Sequence, residues 1–466
     1  MRHKLYAVFV MLLLIAAARS AGAGVVTCDP TTALQTCVSN ATASGSTAGT
    51  VILVPSGTSS VFSVSSLIDL PSNITIRCEP NVMIQQTGGN PIFRAQYQQN
   101  IVIEGCTFDG QSAKVYGLVM FNVSHVRLSR NTFQHFGDNA VTSFPGGDWT
   151  DVEIERNVFT AAGLYDDNSA AVQLLAQSGA SGSSNVRVHH NTCNNAAQYT
   201  GCFKFAAQSS VPLTQLSVTD NVVNFASSSH GSLGIELFST DNTDLSFVQF
   251  TIANNIIQAA WGSSSQAFGI SAYGSRGVIA GNTLNNCFGP GIEVLGSYIS
   301  VVGNTLTYSG PVIWNAGGAS RSGVVIADNT TFKSYGAAIQ IYAHDAGQIN
   351  DGIIANNIVQ TPDHGDGILV QTASSGSLRD IHIDNNLLEL PNGGYAVHTE
   401  GNPSQVQIDN NRLVNISGTG FFLNGAGQAF TVRFNDFSGS GSWEYVNPST
   451  TITRSVENIV NGTCCH

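Results

Sequence analysis

The sequence predicts an all-β protein, a right-handed parallel β-helix of about 13 coils with an asparagine ladder. A phrase of one apolar residue, two variable residues, Asn, one variable residue and one apolar residue recurs, as in residues 128–133 and 154–159. Its copies lie 22 to 34 residues apart, a period typical of solenoids. Helical periodicity and βαβ spacing are absent. A leucine-rich repeat would need regular Leu spacing, and a propeller would need four-stranded blades.

The repeat has thirteen copies, and each is expected to form one coil. Two extended runs flank the Asn, and a third run follows, opened by Gly or Ala, as in residues 234–238 and 291–295. The copies centre on Cys106, Asn131, Asn157, Asn191, Asn221, Asn255, Asn282, Asn304, Asn329, Asn357, Asn386, Asn411 and Asn435.

The repeated Asn makes two structural predictions. A tight corner between strands needs one residue in the left-handed conformation, which Asn tolerates better than any residue except Gly. We therefore expect each ladder Asn to adopt that conformation. Stacked coils would also place successive amides about 4.8 Å apart, so that they can hydrogen bond along the stack.

The ends of the chain predict the localisation of the protein and a cap at each end of the β-helix. Residues 1–23 combine a basic start, a short apolar core and an Ala-Gly-Ala exit, which is typical of a secretory signal peptide. We expect a secreted protein, extracellular or periplasmic, with no membrane segment once the signal is removed. Residues 24–70 are predicted to form an N-terminal cap, 71–442 the β-helix, and 443–466 a C-terminal cap.

The nine cysteines all lie beyond the signal, and an oxidising compartment favours disulfides. An odd count leaves at least one outside an intramolecular bond. The plausible pairs are Cys28 with Cys37, Cys78 with Cys106, and Cys193 with Cys202, which leaves Cys287, Cys464 and Cys465.

The charge balance argues against some partners. The chain has 18 Lys and Arg against 30 Asp and Glu, and loss of the signal would leave 15 against 30. Nucleic acid is a poor partner for so acidic a surface. An acidic polymer would also be repelled unless basic subsites or bound calcium assisted, so a neutral glycan is the better fit.

Residues 49–57, GTVILVPSG, and residues 101–110, IVIEGCTFDG, resemble the opening of pectate-lyase-like β-helix proteins. That superfamily contains pectate lyases, polygalacturonases, other glycan hydrolases, epimerases and phage tailspikes. The resemblance covers nearly the whole chain, but it is one of architecture, so it implies the fold more firmly than the reaction. It also implies a binding cleft on the Gly-opened strands, beside the longest turns.

Aligning the Gly-opened strands predicts which side chains share the outer face. The first outward column is predicted to contain Thr142, Gln173, Lys204, Glu236, Ser271, Glu293, Gln340, Leu369 and His398, while the coil near Trp314 aligns ambiguously. The predicted substrate-binding residues on this face are Phe238, Tyr273, Tyr342, Gln173 and Gln340.

Glu236 is the strongest catalytic candidate. Lys204 is expected one coil away, at about 4.8 Å, and Glu293 two coils away in the other direction, at roughly 9 to 10 Å. That carboxylate separation is near the upper limit for an inverting glycosidase. Burial of one carboxylate and an ammonium beside the other would separate an acid from a base.

Two loops are predicted to overhang the same face and add catalytic candidates. Asp166 and Asp167 precede the strand before Lys204, and His230 precedes the strand of Glu236. They match parts of the polygalacturonase signature, but its Asn-x-Asp and Arg-x-Lys elements are missing, so that family is not assigned. A runner-up acidic set, around residues 363–366, has His398 and Glu400 nearby.

The sequence therefore supports a polysaccharide-acting enzyme, most of all a glycoside hydrolase working by carboxylate acid and base catalysis, with no cofactor or metal. One alternative is a polysaccharide lyase with Lys204 as base and calcium bound. The other is a non-catalytic β-helix surface or adhesion protein. In each case the expected partner is a glycan.

Overall fold

Each coil is built from three short strands that pair in parallel with the same strands of the neighbouring coils, which confirms the predicted right-handed parallel β-helix. The computed structural model describes residues 24–43, 48–57, 59–162, 169–177, 179, 181–196, 201–225, 233–258, 268–334, 336–360, 365–424, 429–437, 442–446, 451–456, 458–460 and 463–465. The alternation of apolar and polar residues along each strand sends every second side chain inward.

We call the strands before each ladder position the upstream strands, because they lead into the corner. They are rich in Val and Ile. Their bounds are Gly24–Cys28, Gly49–Leu53, Ile74–Cys78, Gln99–Glu104, Val123–Ser129, Trp149–Glu155, Ser183–His189, Leu213–Thr219, Phe247–Val248, Thr251–Ala253, Val278–Ala280, Ser300–Val302, Ser320–Ser322, Val325–Ala327, Gln348–Ala355, Ser377–Asp384, Ser404–Asp409, Ala429–Arg433 and Thr451–Val456.

The downstream strands follow each ladder position and form a separate 14-stranded sheet. Eight of the fourteen span three residues, and in seven of these eight the buried middle side chain is apolar. Their bounds are Val61–Val64, Met83–Gln86, Thr107–Asp109, Thr132–Phe136, Val158–Ala162, Thr192–Ala196, Val222–Phe225, Ile256–Gln258, Thr283–Asn285, Thr305–Thr307, Thr330–Phe332, Ile358–Gln360, Leu387–Glu389 and Arg412–Val414.

The third set, here called the face strands, carries the outer face on which the candidate site lies. These strands and the upstream strands belong to one 34-stranded sheet. Their bounds are Ile68–Asp69, Phe93–Gln96, Leu118–Phe121, Val141–Ser143, Ala170–Ala176, Gly201–Ala207, Leu233–Ser239, Phe268–Ser275, Ile292–Ser297, Val312–Gly317, Ile339–His344, Ile368–Thr372, Tyr395–Glu400, Thr419–Leu423 and Ser442–Val446.

The asparagine ladder is continuous from Asn131 to Asn458, which adds one member to those predicted. In its middle, Asn255 Oδ1 accepts from the backbone N and the Nδ2 of Asn221, both at 3.0 Å. Asn255 Nδ2 donates to Val218 O and to Asn282 Oδ1, both at 2.9 Å. The ladder amides are 0 or 1% exposed, so these bonds satisfy polar groups that would be costly to bury alone.

The predicted left-handed conformation was assigned to the wrong residue. The positive φ belongs to the residue immediately before the ladder Asn, for example Arg130, His190 and Asp220, with φ of 55°, 55° and 56°. The corner thus turns one position earlier than expected. The Asn itself is required for its side-chain amide, which has both a donor and an acceptor to continue the stack.

Aromatic and aliphatic side chains fill the interior in rows that follow the coils. Phe108, Phe133 and Phe159 stack with ring centroids 4.8 and 5.3 Å apart and nearly parallel planes. Each of the three is at most 1% exposed. Successive coils thus cover each other's apolar surface, which is why no single coil is stable alone.

The first described coil is covered by one α-helix, Leu34–Ala43, which a Cys28–Cys37 disulfide ties to the strand before it. Two further disulfides, Cys78–Cys106 and Cys193–Cys202, are also those the sequence suggested. The last two strands, Asn458–Val460 and Thr463–Cys465, pair in antiparallel fashion. None of the described helices is long and apolar enough to cross a membrane.

Candidate functional site

The face strands place the predicted outward column in a single register. Successive Cα partners follow the predicted alignment, and Ile313 occupies the coil that the sequence left ambiguous. The column runs Thr142, Gln173, Lys204, Glu236, Ser271, Glu293, Ile313, Gln340, Leu369 and His398.

Glu236 lies at the middle of this column in an ion pair with Lys204. The Lys204 Nζ is 3.2 Å from Glu236 Oε2, and the two side chains are 12 and 13% exposed. The same Oε2 is buried and, among the described residues, accepts no hydrogen bond of proper geometry. The contact between Lys204 and Glu236 is therefore one of charge, without a hydrogen bond of proper geometry.

Glu293 lies two coils from Glu236, so that their Cα atoms are separated by roughly 9 to 10 Å. Ser271 Oγ, on the coil between them, donates a 2.9 Å hydrogen bond to Glu293 Oε2. Burial raises the pKa of Glu293, and the charge of Glu236 acts in the same direction. Hydrogen bonds from Ser271 and Asn315 and the charge of Arg321 oppose that shift without cancelling it.

Arg321 and Asp244 complete this centre, and sequence reasoning missed both. Arg321 is 1% exposed; its Nε is 3.7 Å from Asp244 Oδ1, and its guanidinium donates to the carbonyl oxygen of Asn315. Its Cζ lies 5.6 Å from the ring centroid of Tyr273. Burial lowers the pKa of Arg321 and raises those of Asp244 and Tyr273.

Arg321 escaped detection because its strand, Ser320–Ser322, lies outside the repeated phrase. The available signal was a single Arg in the uncharged stretch of residues 316–323. Such a residue is normally expected at the surface, and only the fold shows that it is buried.

Residues 240–246, here called the strap, follow the strand of Glu236 and cross several coils. Asp241 accepts from Ser209 N at 2.7 Å, Ser246 Oγ at 2.9 Å and Ser239 Oγ at 3.0 Å. Asp244 accepts from Ser297 Oγ two coils on. Desolvation would raise the pKa of Asp241, but the hydrogen bonds outweigh it and hold that pKa well below its usual range.

A groove of about 500 Å³ opens beside the Lys204–Glu236 pair and extends towards the N-terminal coils. Its polar lining is ordered: Asn139 Nδ2 donates to Gln173 Oε1 at 2.8 Å. The lining residues are Lys114, Tyr116, Asp138, Asn139, Gln173, Leu175, Gln177, Lys204, Ala206, Glu236 and Phe238.

The predicted aromatic residues are distributed over more than one part of the face. Phe238 is 41% exposed and meets the ring of Tyr273 edge-on, with centroids 6.2 Å apart. Tyr342 lies several coils further on and stacks on His344 at 4.7 Å. Gln340, on the same coil, donates to Gln371 Oε1 at 3.2 Å. Only Phe238 and Tyr273 therefore border the Glu236–Glu293 centre.

Three predicted catalytic residues, Asp166, Asp167 and His230, lie outside the described residues, as does Asp363 of the runner-up set. Their assignment remains a prediction. Within the described part of the chain, no group of three or more His, Cys, Asp or Glu side chains is arranged to hold a metal ion.

The family described as a right-handed β-helix region matches residues 233–386 and 317–460. No curated protein matches the chain by sequence. Among solved structures, a mannuronic acid specific polysaccharide family 6 lyase from human gut microbiota has a TM-score of 0.47 and 12% identity, covering 84% of this chain and 86% of its own.

Two other solved structures have similar scores. PfbA, a surface adhesin of Streptococcus pneumoniae, has a TM-score of 0.45 and 12% identity over 78% of this chain and 89% of its own. A mutant tailspike protein of E. coli bacteriophage HK620 in complex with a pentasaccharide has a TM-score of 0.47 and 11% identity over 94% of this chain and 76% of its own. The family match covers residues 233–460, a little under half of the chain, and agrees with the right-handed parallel β-helix that the coils form.

Proposed function

We propose that the protein is a secreted glycoside hydrolase whose catalytic centre is the carboxylate pair Glu236 and Glu293. The two carboxylates lie on the same outward column but in different environments, and this difference is the observation that carries the proposal. Glu236 is held in an ion pair with Lys204, whereas burial raises the pKa of Glu293 and favours its protonated form. One carboxylate is thus suited to act as a base and the other as an acid.

In this mechanism Glu293 gives its proton to the glycosidic oxygen while Glu236 takes a proton from the attacking water. The bond from the anomeric carbon to the leaving oxygen breaks as the bond to the water oxygen forms. The Cα atoms of the two residues lie two coils apart, at roughly 9 to 10 Å. A carboxyl separation near that value leaves room for the water and favours inversion at the anomeric carbon. Tyr273 and Phe238 offer ring surfaces beside the reacting sugar.

The charges of the centre favour a neutral glycan. Lys204 and Arg321 each lie beside a carboxylate, Glu236 and Asp244 respectively, so neither cation is left to neutralise an acidic sugar. The excess of acidic residues in the chain acts in the same direction. Secretion is supported by the predicted signal peptide and by three disulfides.

The test is a screen of neutral and acidic polysaccharides, with and without calcium, followed by substitution of Glu236. Release of reducing ends is expected on a neutral glycan, and Glu236→Gln should lower turnover about a hundredfold or more. Glu389→Gln, on the 14-stranded sheet, is the control and should keep wild-type turnover.

Three results would refute the proposed hydrolase. The first is near-normal turnover by Glu236→Gln. The second is calcium-dependent formation of an unsaturated product on an acidic polymer, which would indicate the lyase alternative. The third is binding without any cleavage by the wild-type protein, which would indicate the adhesion alternative.

A further inference from the structure

A second cluster of side chains lies on the same outer face, four coils beyond Glu293. His398 occupies the outward column after Ile313, Gln340 and Leu369. At about 4.8 Å per coil, its backbone is roughly 19 Å from that of Glu293. This cluster is therefore separate from the proposed catalytic centre.

The cluster contains an oriented imidazole. His398 Nδ1 is 2.7 Å from Asp366 Oδ2, and Asp366 Oδ1 accepts from the backbone N of Tyr395 at 2.9 Å. Both side chains are 17% exposed, so they are neither buried nor freely solvated. An ionised carboxylate only accepts, so Nδ1 carries the hydrogen and Nε2 is the nitrogen that remains for a ligand.

Two aromatic rings surround that imidazole. The ring centroids of Tyr395 and Phe422 are 4.8 and 4.9 Å from the centroid of His398, and 4.7 Å from each other. Both rings are partly exposed. The ring planes of Tyr395 and Phe422 are tilted by 42° to each other. A partly exposed aromatic ring beside one oriented polar atom suits a pyranose, whose C–H face packs on a ring while a hydroxyl hydrogen bonds at its edge.

The two coils before this cluster and the coil of His398 carry a row of hydrogen-bonded polar side chains. Gln340 Nε2 donates to Gln371 Oε1 at 3.2 Å, and Gln371 Nε2 donates to Glu400 Oε2 at 2.7 Å. Tyr342 and its stacked neighbour His344 lie along the same row. Amides and rings are groups that bind sugar hydroxyls and sugar faces, so the row provides a path for a glycan chain.

We propose that Asp366, His398, Tyr395 and Phe422 form a second, non-catalytic glycan-binding site for the distal part of a long chain. The inference rests on the proposed function in taking a glycan as the ligand. It adds that binding extends along the coil axis well beyond the reacting sugar, so the natural ligand is a polymer rather than a short oligosaccharide.

The test uses the full mature protein carrying Glu293→Gln, which prevents cleavage during the measurement. The probe is an array of neutral and acidic polysaccharides, and affinity for any polymer that binds is then measured by calorimetry. Adding Tyr395→Ala and Phe422→Ala together should weaken that affinity about tenfold, whereas Phe422→Trp, which keeps a ring, should stay within about twofold of the parent.

Phe332→Ala is the matched control, because it removes a 37% exposed phenyl ring from the opposite, 14-stranded sheet. It should leave polymer affinity unchanged. Melting temperatures equal to that of the Glu293→Gln parent would show that the variants are folded. His398→Ala supplies a second, smaller change with the same expected direction.

The inference is overturned if the double variant binds every polymer as tightly as the Phe332→Ala control, or if no polymer on the array binds. Its failure is distinguishable from failure of the hydrolase. Wild-type protein that binds through Tyr395 and Phe422 but cleaves nothing would refute only the hydrolase. Cleavage that depends on Glu236, with polymer binding indifferent to both rings, would refute only the second site.

Discussion

The corner occupied by the asparagine ladder and the centre around Glu236 both bury polar groups, and they do so in opposite ways. Along the ladder each amide is satisfied by its neighbours in the stack. At the centre, Glu236 Oε2, Asn315 Oδ1 and Arg321 Nε are buried without a hydrogen bond; only two other side-chain atoms in the described residues share that condition. Buried groups without hydrogen bonds cost stability, so the ladder stabilises the fold more than the centre does, and the proposed ligand would offset that cost.

The largest expected effect on stability is at the asparagine ladder, where the buried amides are hydrogen bonded. Asn255→Leu removes the acceptor of the buried Asn221 backbone N and one donor to Val218 O. We expect unfolding to become easier by about 3 kcal/mol, because each orphaned buried group costs roughly 1 to 3 kcal/mol. Thermal unfolding followed by circular dichroism measures this loss.

The matched control is Asn402→Leu, at an exposed position outside the ladder. It should change the free energy of unfolding by no more than about 0.5 kcal/mol. Equal melting temperatures for the two variants would contradict the role given to the ladder.

An intermediate effect is expected at the strap, whose Asp241 resembles the ladder in being fully hydrogen bonded. The pKa of Asp241 is lowered in the folded state, so its charge stabilises the protein above the unfolded reference of 3.8 and that contribution disappears as the pH falls through the folded pKa. Asp241→Asn should therefore cost about 1 kcal/mol at pH 7, since the group is partly exposed and screened, and progressively less below pH 3.8.

The exposed Asp351 provides the control, because Asn tolerates its positive φ. Asp351→Asn should change the free energy of unfolding at pH 7 by no more than about 0.5 kcal/mol in melting experiments. A constant penalty for Asp241→Asn from pH 3 to pH 7 would contradict the pKa assignment.

The smallest expected change in stability, and one of opposite sign, concerns Glu293. Its pKa is raised in the folded state, so its charge destabilises the protein at neutral pH, and that penalty vanishes below the unfolded reference of 4.5. Glu293→Gln should raise the melting temperature at pH 7 to 8, leave it unchanged below pH 4.5, and abolish turnover. A lower melting temperature of Glu293→Gln at neutral pH would show that the charge of Glu293 does not destabilise the folded protein.

The outward column could be predicted because each strand is anchored by the ladder position that follows it, and alternation then sets which side chains face out. Lys204, Glu236 and Glu293 were placed correctly for that reason. Arg321 could not be found in the same way. It lies on a strand without a ladder residue, and its burial depends on the strap, whose path is set by long-range hydrogen bonds.

The left-handed residue before each ladder Asn has a consequence for how this sequence can change over time. Ten such positions, from Arg130 to Phe434, are exposed, and Arg, His, Asp, Asn and Phe all occupy them. The coil imposes the backbone conformation there, and side chains as different as Arg, Asp and Phe accept it, whereas a β-branched residue would be strained. Substitutions at these positions can therefore change the charge or the size of the side chains along a whole edge of the β-helix without disturbing the asparagine ladder beneath it.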